Sequence, residues 1–136
     1  MQTFLPYPNF ACSAQCLDNK RLNQQANETR QILIAIRNGG GWRHHPAVLQ
    51  WHDHVPALRL YHDVILREWI VRGRNNTRDM MEPAASTIVM PPWLGDERYH
   101  SSHRAALLFK EPRWYSQFGW DEIPELNYHW PVRIDR

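Results

Sequence analysis

Cysteine and long apolar runs are scarce in this chain of 136 residues. Its two cysteines, Cys12 and Cys16, are too few for a disulfide framework or, by themselves, for a zinc site. No stretch approaches the roughly 20 apolar residues of a membrane-spanning helix, and the first residues lack the basic start and apolar run of a signal peptide. We therefore expect a cytoplasmic protein with free thiols.

Lysine is also scarce, since Lys20 and Lys110 stand against fourteen arginines. Arginine forks bind phosphates and bases well, although a GC-rich genome would produce the same bias. The first 52 residues carry five basic residues against two acidic ones, Asp18 and Glu28. This local excess predicts an electropositive face and a polyanionic partner.

The hydrophobic pattern predicts one all-α domain over residues 1–136, with about four to five helices and long ordered loops. Two prolines and three aromatic residues in the first ten positions favour an extended N-terminal segment. Apolar residues at helical spacing from Leu22 to Ile36 predict the clearest helix, with Ser13 or Asp18 as its cap. The glycines at 39–41 end it.

Prolines mark the boundaries of the later helices. Pro46 is expected to begin a short helix, and Pro56 a longer apolar one that reaches Gly73. Residues 74–95 are typical of loops around a short helix. A further helix is expected over about 97–110, with Pro112 ending it, before a tail rich in aromatic residues.

Glu28 lies on the polar face of the first predicted helix without an intrahelical partner. The positions three or four residues away hold Gln24, Gln25, Gln31 and Ile32, none of them basic. A carboxylate among amides and bases suits general acid/base chemistry or stabilisation of a developing cation, provided that it faces a cleft. The alternative is a solvated residue, or one paired with a distant arginine.

An amine nucleophile in this chain has three possible sources: Lys20, Lys110 and the α-amino group of Met1. As a class, α-amines have a reference pKa of roughly 8, against about 10.4 for lysine side chains, so more of the α-amine is neutral at pH 7. We expect Met1 to be retained because Gln2 is not small. The α-amine is the favoured nucleophile.

Histidines are concentrated between residues 44 and 62, but their spacing matches no metal-binding motif. The run Arg43, His44 and His45 suits contact with phosphate or with an unpaired base, and packing or capping is the alternative. A small-molecule enzyme that uses these histidines, with or without a metal, is a further alternative.

A second set of possible nucleic-acid contacts follows the last predicted helix. Trp114 and Tyr115 come directly after Arg113, with Lys110 one helical turn earlier. This arrangement suits base stacking beside phosphate contacts, although such aromatic residues more often belong to a core.

Three blocks resemble the pyrimidine dimer DNA glycosylases of the phage endonuclease V type, by way of more distant cellular members. They are the pattern LDxKxLxxxxxE from Leu17 to Glu28, GWRHHP at 41–46 and EPRWYSQFG at 111–119. The resemblance implies a compact helical domain whose N-terminus is threaded into a DNA-facing cleft.

The resemblance also implies an activity: a DNA glycosylase with an associated AP lyase step, acting on damaged or modified bases in double-stranded DNA. The α-amine of Met1 would attack the anomeric carbon of deoxyribose, and Glu28 would stabilise the cationic sugar or transfer its protons. No cofactor, metal or obligate protein partner is implied. The DNA-contact candidates are Gln2, Arg21, Gln25, Arg43, His44, His45, Arg104, Lys110, Arg113, Trp114 and Tyr115.

The neighbours of Glu28 depart from the phage pattern. Asn27 and Thr29 stand where the phage enzyme flanks its glutamate with arginines, and Gln2 follows Met1 where that enzyme exposes a small terminal residue. A non-catalytic nucleic-acid-binding protein with the same fold is therefore the alternative.

Overall fold

The computed structural model describes residues 1–82 and 87–132, and these form an all-α fold. No strand occurs among them. No helix within these ranges has the length and apolar character to cross a membrane. The helices are α1 (Phe10–Cys16), α2 (Asn19–Asn38), α3 (Pro46–Trp51), α4 (Val55–Val71), α5 (Glu97–Lys110) and α6 (Pro112–Tyr115), followed by a 3₁₀ turn at Ser116–Phe118.

The four helices whose positions were predicted from the sequence correspond to α2, α3, α4 and α5. Asp18 occupies the N-cap of α2 with extended backbone, although its side chain makes no capping hydrogen bond there. The helix ends at Gly39, whose φ of 74° suits glycine and whose N–H donates to the carbonyl of Ala35. The predicted glycine stop is therefore confirmed.

Three local predictions were incomplete or wrong. Helix α1 was not predicted; Asn9 caps it by accepting a 2.9 Å hydrogen bond from the N–H of Cys12. Pro112 not only follows α5 but also begins α6, because proline is well suited to the first turn of a helix. The short helix expected within 74–95 is absent from 74–82 and 87–95, and positions 83–86 lie outside the described residues.

The extended N-terminal segment belongs to the hydrophobic core. Residues 2–6 are buried, with Thr3 and Leu5 fully so, and α2 packs chiefly against α4. The core includes Leu22 and Ile32 from α2 and Leu58 from α4. The chain therefore begins at a partly exposed Met1 and enters the interior at Gln2.

Candidate active site

Gln25 on α2 holds the N-terminal segment through backbone atoms. Its Nε2 donates to the carbonyl oxygen of Gln2 at 2.9 Å, and its Oε1 accepts from the N–H of Phe4 at 2.8 Å. The hydroxyl of Tyr61 lies 2.9 Å from the same Oε1 and 2.7 Å from the carbonyl oxygen of Phe4. Gln25 is buried, so we assign it to positioning this segment rather than to direct DNA contact.

Thr3 is fixed by side chains from α3. Its hydroxyl oxygen accepts hydrogen bonds from Trp51 Nε1 at 3.0 Å and from Gln50 Nε2 at 3.2 Å. All three residues are buried. The segment is thus held from α3 as well as from α2.

Two histidines of α5 hold Leu5. The N–H of Leu5 donates to Nδ1 of His103 at 2.9 Å, and Nδ1 of His100 lies 2.7 Å from the carbonyl oxygen of Leu5. The N–H of Gly95 donates to Nε2 of His100, which places the proton of the neutral ring on Nδ1. Burial lowers the pKa of His100 and lowers that of His103 to about 3, so both act as neutral groups near pH 7.

Arg104, a predicted DNA contact, also holds the N-terminal segment. Its Nη1 donates to the carbonyl oxygen of Pro6 at 2.7 Å, its Nε lies 2.8 Å from Glu122, and it also pairs with Glu97. Arg104 is only 9% exposed. Its guanidinium is therefore occupied inside the protein and is not available for DNA contact in this structure.

The N-terminal segment ends at a surface cavity. Met1 borders this space of about 430 Å³, which we call the terminal cavity. The side chain of Trp42 is largely exposed at its edge. The cavity is lined by Met1, Gln31, Ile34, Ala35, Gly39 and Trp42.

The charge of the Met1 α-amino group acts on His45. Burial lowers the pKa of His45, and the positive charge of the terminal amine lowers it further. Its Nδ1 accepts a 3.0 Å hydrogen bond from the N–H of Ala47, so the proton of the neutral ring lies on Nε2. The ring also packs against Trp42 and Trp130. His45 therefore presents a neutral N–H donor near the terminal amine.

Glu28 occupies the side of α2 on which Met1 rests. It lies three residues after Gln25, which binds the backbone of Gln2, and three before Gln31, which lines the terminal cavity. Helix positions at these spacings share a face. Glu28 is partly exposed, and its side chain makes no hydrogen bond or ion pair with the residues of 1–82 and 87–132. Within these ranges, no distant arginine pairs with it.

Gln2 adds a buried polar group beside Met1. Only 8% of the residue is exposed, and its carboxamide makes no hydrogen bond of normal geometry within the described protein, although the hydroxyl of Tyr128 lies close to it. Leaving such a group unpaired costs about 1–3 kcal/mol. Ordered water or a ligand usually pairs a group of this kind.

A second cavity, of about 380 Å³, adjoins the terminal cavity through Ala35 and Gly39. Arg43 and His44 line it, and both are exposed, with Arg43 Nε 3.2 Å from His44 Nε2. His52 also contributes to its wall. Two predicted DNA contacts therefore lie next to the terminal cavity.

Three of the remaining predicted contacts, Arg21, Trp114 and Tyr115, bind residues at or just before the start of α2. Arg21 pairs with Asp18 at 3.2 Å, and Asp18 also accepts a hydrogen bond from the buried hydroxyl of Tyr115. Trp114 Nε1 donates to the carbonyl oxygen of Cys16 at 2.7 Å. We therefore assign Tyr115 and the indole N–H of Trp114 to packing. Lys110 and Arg113 are exposed.

Four residues of this site were not identified from the sequence. Trp42 and Gln31 line the terminal cavity, and His100 and His103 hold Leu5. Trp42 lies inside the GWRHHP block, and the two histidines lie three apart on a predicted helix, which were the available signals. Among the described residues, no group of three or more histidine, cysteine or acidic side chains forms a potential metal site.

A family model described as pyrimidine dimer DNA glycosylase matches residues 1–82. The chain belongs to this family. The pyrimidine dimer DNA glycosylase match includes the N-terminal segment, Glu28 and the GWRHHP block, whereas the block at 111–119 lies outside it. Membership assigns the protein to DNA repair, with DNA as its substrate. No curated protein and no solved structure matches the chain.

Proposed function

We propose that this protein excises a damaged, dimer-like pyrimidine from double-stranded DNA by attack of the α-amine of Met1, and then cleaves the strand as an AP lyase. One observation carries the proposal. The N-terminal segment is buried and anchored, and it ends at Met1, which borders a cavity beside the α2 face that bears Glu28.

The first step replaces the glycosidic bond with a bond to the protein. The lone pair of the neutral amine attacks C1′ of deoxyribose, and the base leaves with the electrons of the C1′–N bond and takes up a proton. Opening of the sugar ring, with proton transfer from nitrogen to O4′, gives an iminium ion between Met1 and C1′. Glu28 would stabilise the positive charge that develops on the sugar.

The iminium permits the lyase step. Loss of a proton from C2′ to a base supplies the electrons that expel the 3′ phosphate, which completes β-elimination. Water then hydrolyses the iminium and restores the amine. Glu28 is the proposed proton carrier, because it has no competing partner among the described residues and shares the face of α2 that borders the terminal cavity.

The residues around the amine would hold the substrate. Arg43 and His44 are exposed beside the terminal cavity and suit phosphate contact, while His45 offers a neutral N–H donor. The unpaired carboxamide of Gln2 would bind polar atoms of the sugar or base. Lys110 and Arg113 remain proposed contacts with more distant phosphates.

Borohydride trapping tests the proposed chemistry. Reduction during incubation with pyrimidine-dimer or abasic-site DNA is expected to give a covalent adduct on the N-terminal peptide, identified by mass spectrometry. Glu28→Gln should lose the adduct, whereas Glu125→Gln, at an exposed position, should retain it. An adduct that persists in Glu28→Gln would contradict the role of this carboxylate.

Two variants identify the nucleophile. Lys20→Arg and Lys110→Arg should both form the N-terminal adduct at the wild-type rate. Loss of trapping in either one would move the nucleophile to that lysine. Binding to damaged DNA with no adduct and no strand scission under any condition would instead support the non-catalytic alternative, which the residues Asn27 and Thr29 beside Glu28 favour.

A further inference from the structure

Three arginines surround a cavity between α2 and α4. None of these arginines is among the DNA contacts that the family resemblance implies. Arg30 and Arg37 come from α2, and Arg59 comes from α4. The cavity has a volume of about 260 Å³, and Leu33, Ile34 and Met81 complete its wall. We call it the arginine cavity.

The positive charge of the arginine cavity is not neutralised within the described protein. Arg30, Arg37 and Arg59 form no ion pair with the residues of 1–82 and 87–132. The nearby carboxylate of Asp63 is engaged instead by the backbone N–H groups of Met81 and Glu82 and by His62. Because guanidinium groups do not lose their protons near neutral pH, the cavity concentrates three fixed charges.

Arg30 carries a buried donor without a partner. Its Nη2 donates to the carbonyl oxygen of Asp79 at 2.8 Å, which fixes the side chain. Its Nε is buried and has no hydrogen-bond partner within the described protein. A fixed guanidinium with an unused N–H is suited to an oxyanion ligand.

The arginine cavity adjoins the terminal cavity. Ile34 lines both spaces, and Arg30 and Arg37 lie two turns apart on α2, roughly 10 Å along the helix axis. An anion bound here would therefore lie in the space next to the terminal cavity. The apolar side chains of Leu33 and Met81 suit the apolar edge of a sugar.

We propose that the arginine cavity binds a backbone phosphate of the DNA strand whose damaged nucleotide occupies the terminal cavity. This inference rests on the proposed function and adds Arg30, Arg37 and Arg59 to the binding surface. A phosphate bridging the three guanidinium groups would offset their mutual repulsion.

Salt-dependent binding tests this contact independently of catalysis. Anisotropy of a short fluorescein-labelled duplex with a tetrahydrofuran abasic analogue is measured over a range of salt concentrations for wild type, Arg37→Gln and Arg59→Gln. Each variant should weaken binding several-fold and reduce the slope of log K against log salt by up to ~0.9, the value for complete loss of one phosphate contact. Arg98→Gln is the matched control, because Arg98 pairs with Asp96 and lies outside the cavity, and its slope should equal the wild-type slope.

Additional variants and ligands distinguish a phosphate contact with DNA from a structural effect of the substitutions and from binding of other anions. Arg37→Lys and Arg59→Lys should keep most of the slope, since the charge remains, and thermal unfolding should show that all variants fold. Wild-type slopes in both glutamine variants would overturn the proposal. The proposal would also be overturned if the glutamine variants lost binding to inorganic phosphate, or to an RNA duplex, while the slope for DNA stayed at the wild-type value.

The outcomes also separate this inference from the proposed function. Normal N-terminal trapping with unchanged slopes would remove the phosphate contact and leave the amine chemistry intact. Reduced slopes without any trapped adduct would keep the phosphate contact on a protein that only binds DNA.

Discussion

The side-chain carboxamide of Gln25 holds the backbone of Gln2, with Nε2 2.9 Å from the carbonyl oxygen. The contact joins α2 to the residue directly after the proposed nucleophile. Because Gln25 also accepts from Phe4, the direction of the segment is set on both sides of Thr3. The position of the terminal amine thus depends on a residue that does not itself reach the cavity lining.

Gln25→Leu should impair both stability and catalysis. The change leaves the Gln2 carbonyl and the Phe4 N–H without their buried partner, so the free energy of unfolding should fall by about 2–4 kcal/mol. Trapping should slow on the order of 100-fold through misplacement of the amine. Urea unfolding and timed borohydride trapping measure the two effects.

Gln24→Leu is the matched control for this variant, because Gln24 is exposed and precedes Gln25 directly. It should change neither quantity appreciably. Equal trapping rates in the two variants would show that Gln25 does not position Met1.

Acetylation of the α-amine should raise the pKa of His45. The amine charge lowers this pKa in addition to the larger effect of burial, so removing the charge leaves only the burial effect. NMR titration of the ring resonances measures the change. His62 is the internal reference, because its lowered pKa arises mainly from burial and its other influences come from Asp63, Arg30 and Arg78.

The same acetylated protein should form no trapped adduct, since the nitrogen lone pair is then part of an amide. An unchanged pKa of His45 would show that the amine does not lie beside this ring. Trapping by the acetylated protein would assign the nucleophile to a side chain.

Gln2→Met should separate stability from substrate binding. The carboxamide of Gln2 is buried without a partner in the described protein, so a methionine of similar size should retain or raise the unfolding free energy, by about 1 kcal/mol. Affinity for abasic-analogue DNA should fall, because the proposed polar contact is lost. Thermal unfolding and anisotropy provide the two measurements; lower stability with unchanged affinity would contradict the assignment.

Protonation linked to His103 should lower the free energy of unfolding as the pH falls from about 6.5 towards 3. Its folded pKa of about 3 lies below the ordinary value of 6.5, so the unfolded chain binds the additional proton within this window. The stability that neutral His103 provides is complete above pH 6.5 and should be about 2 kcal/mol smaller at pH 5.

His103→Gln should reduce this pH dependence, because glutamine accepts a hydrogen bond but does not titrate in this range. Urea unfolding at pH 7 and pH 5 provides the comparison. The pH 7 value reports the altered bond to Leu5, and only the difference between the two pH values reports the titration. An undiminished difference in the variant would assign the effect to other groups.

Sequence patterns predicted the helices whose positions depend on the spacing of apolar residues and on nearby glycines and prolines. The spacing of Leu22, Ile32 and Ile36 and the glycine stop predicted α2, while prolines marked the starts of α3 and α4. The patterns missed α1 and α6 because these helices have seven and four residues, too short for a periodic signal.

The residues of the candidate site show the same division. The absence of a basic residue three or four positions from Glu28 is a property of the sequence, and it excluded an ion pair within the helix but not one with a distant arginine. Burial is not local: Arg104 and Tyr115 have sequence neighbours typical of DNA contacts, yet their side chains bind Pro6 and Asp18 inside the protein.

The sequence by itself determined the helical class, the shortage of amine nucleophiles and the lack of an intrahelical partner for Glu28, because each follows from composition or from spacing within one helix. Only the tertiary structure decided that Met1 reaches His45 and that Arg59 joins Arg30 and Arg37. Met1 lies more than twenty residues from His45 along the chain, and so does Arg59 from Arg37. Their proximity depends on how α2, α4 and the buried N-terminal segment pack, which no local pattern encodes.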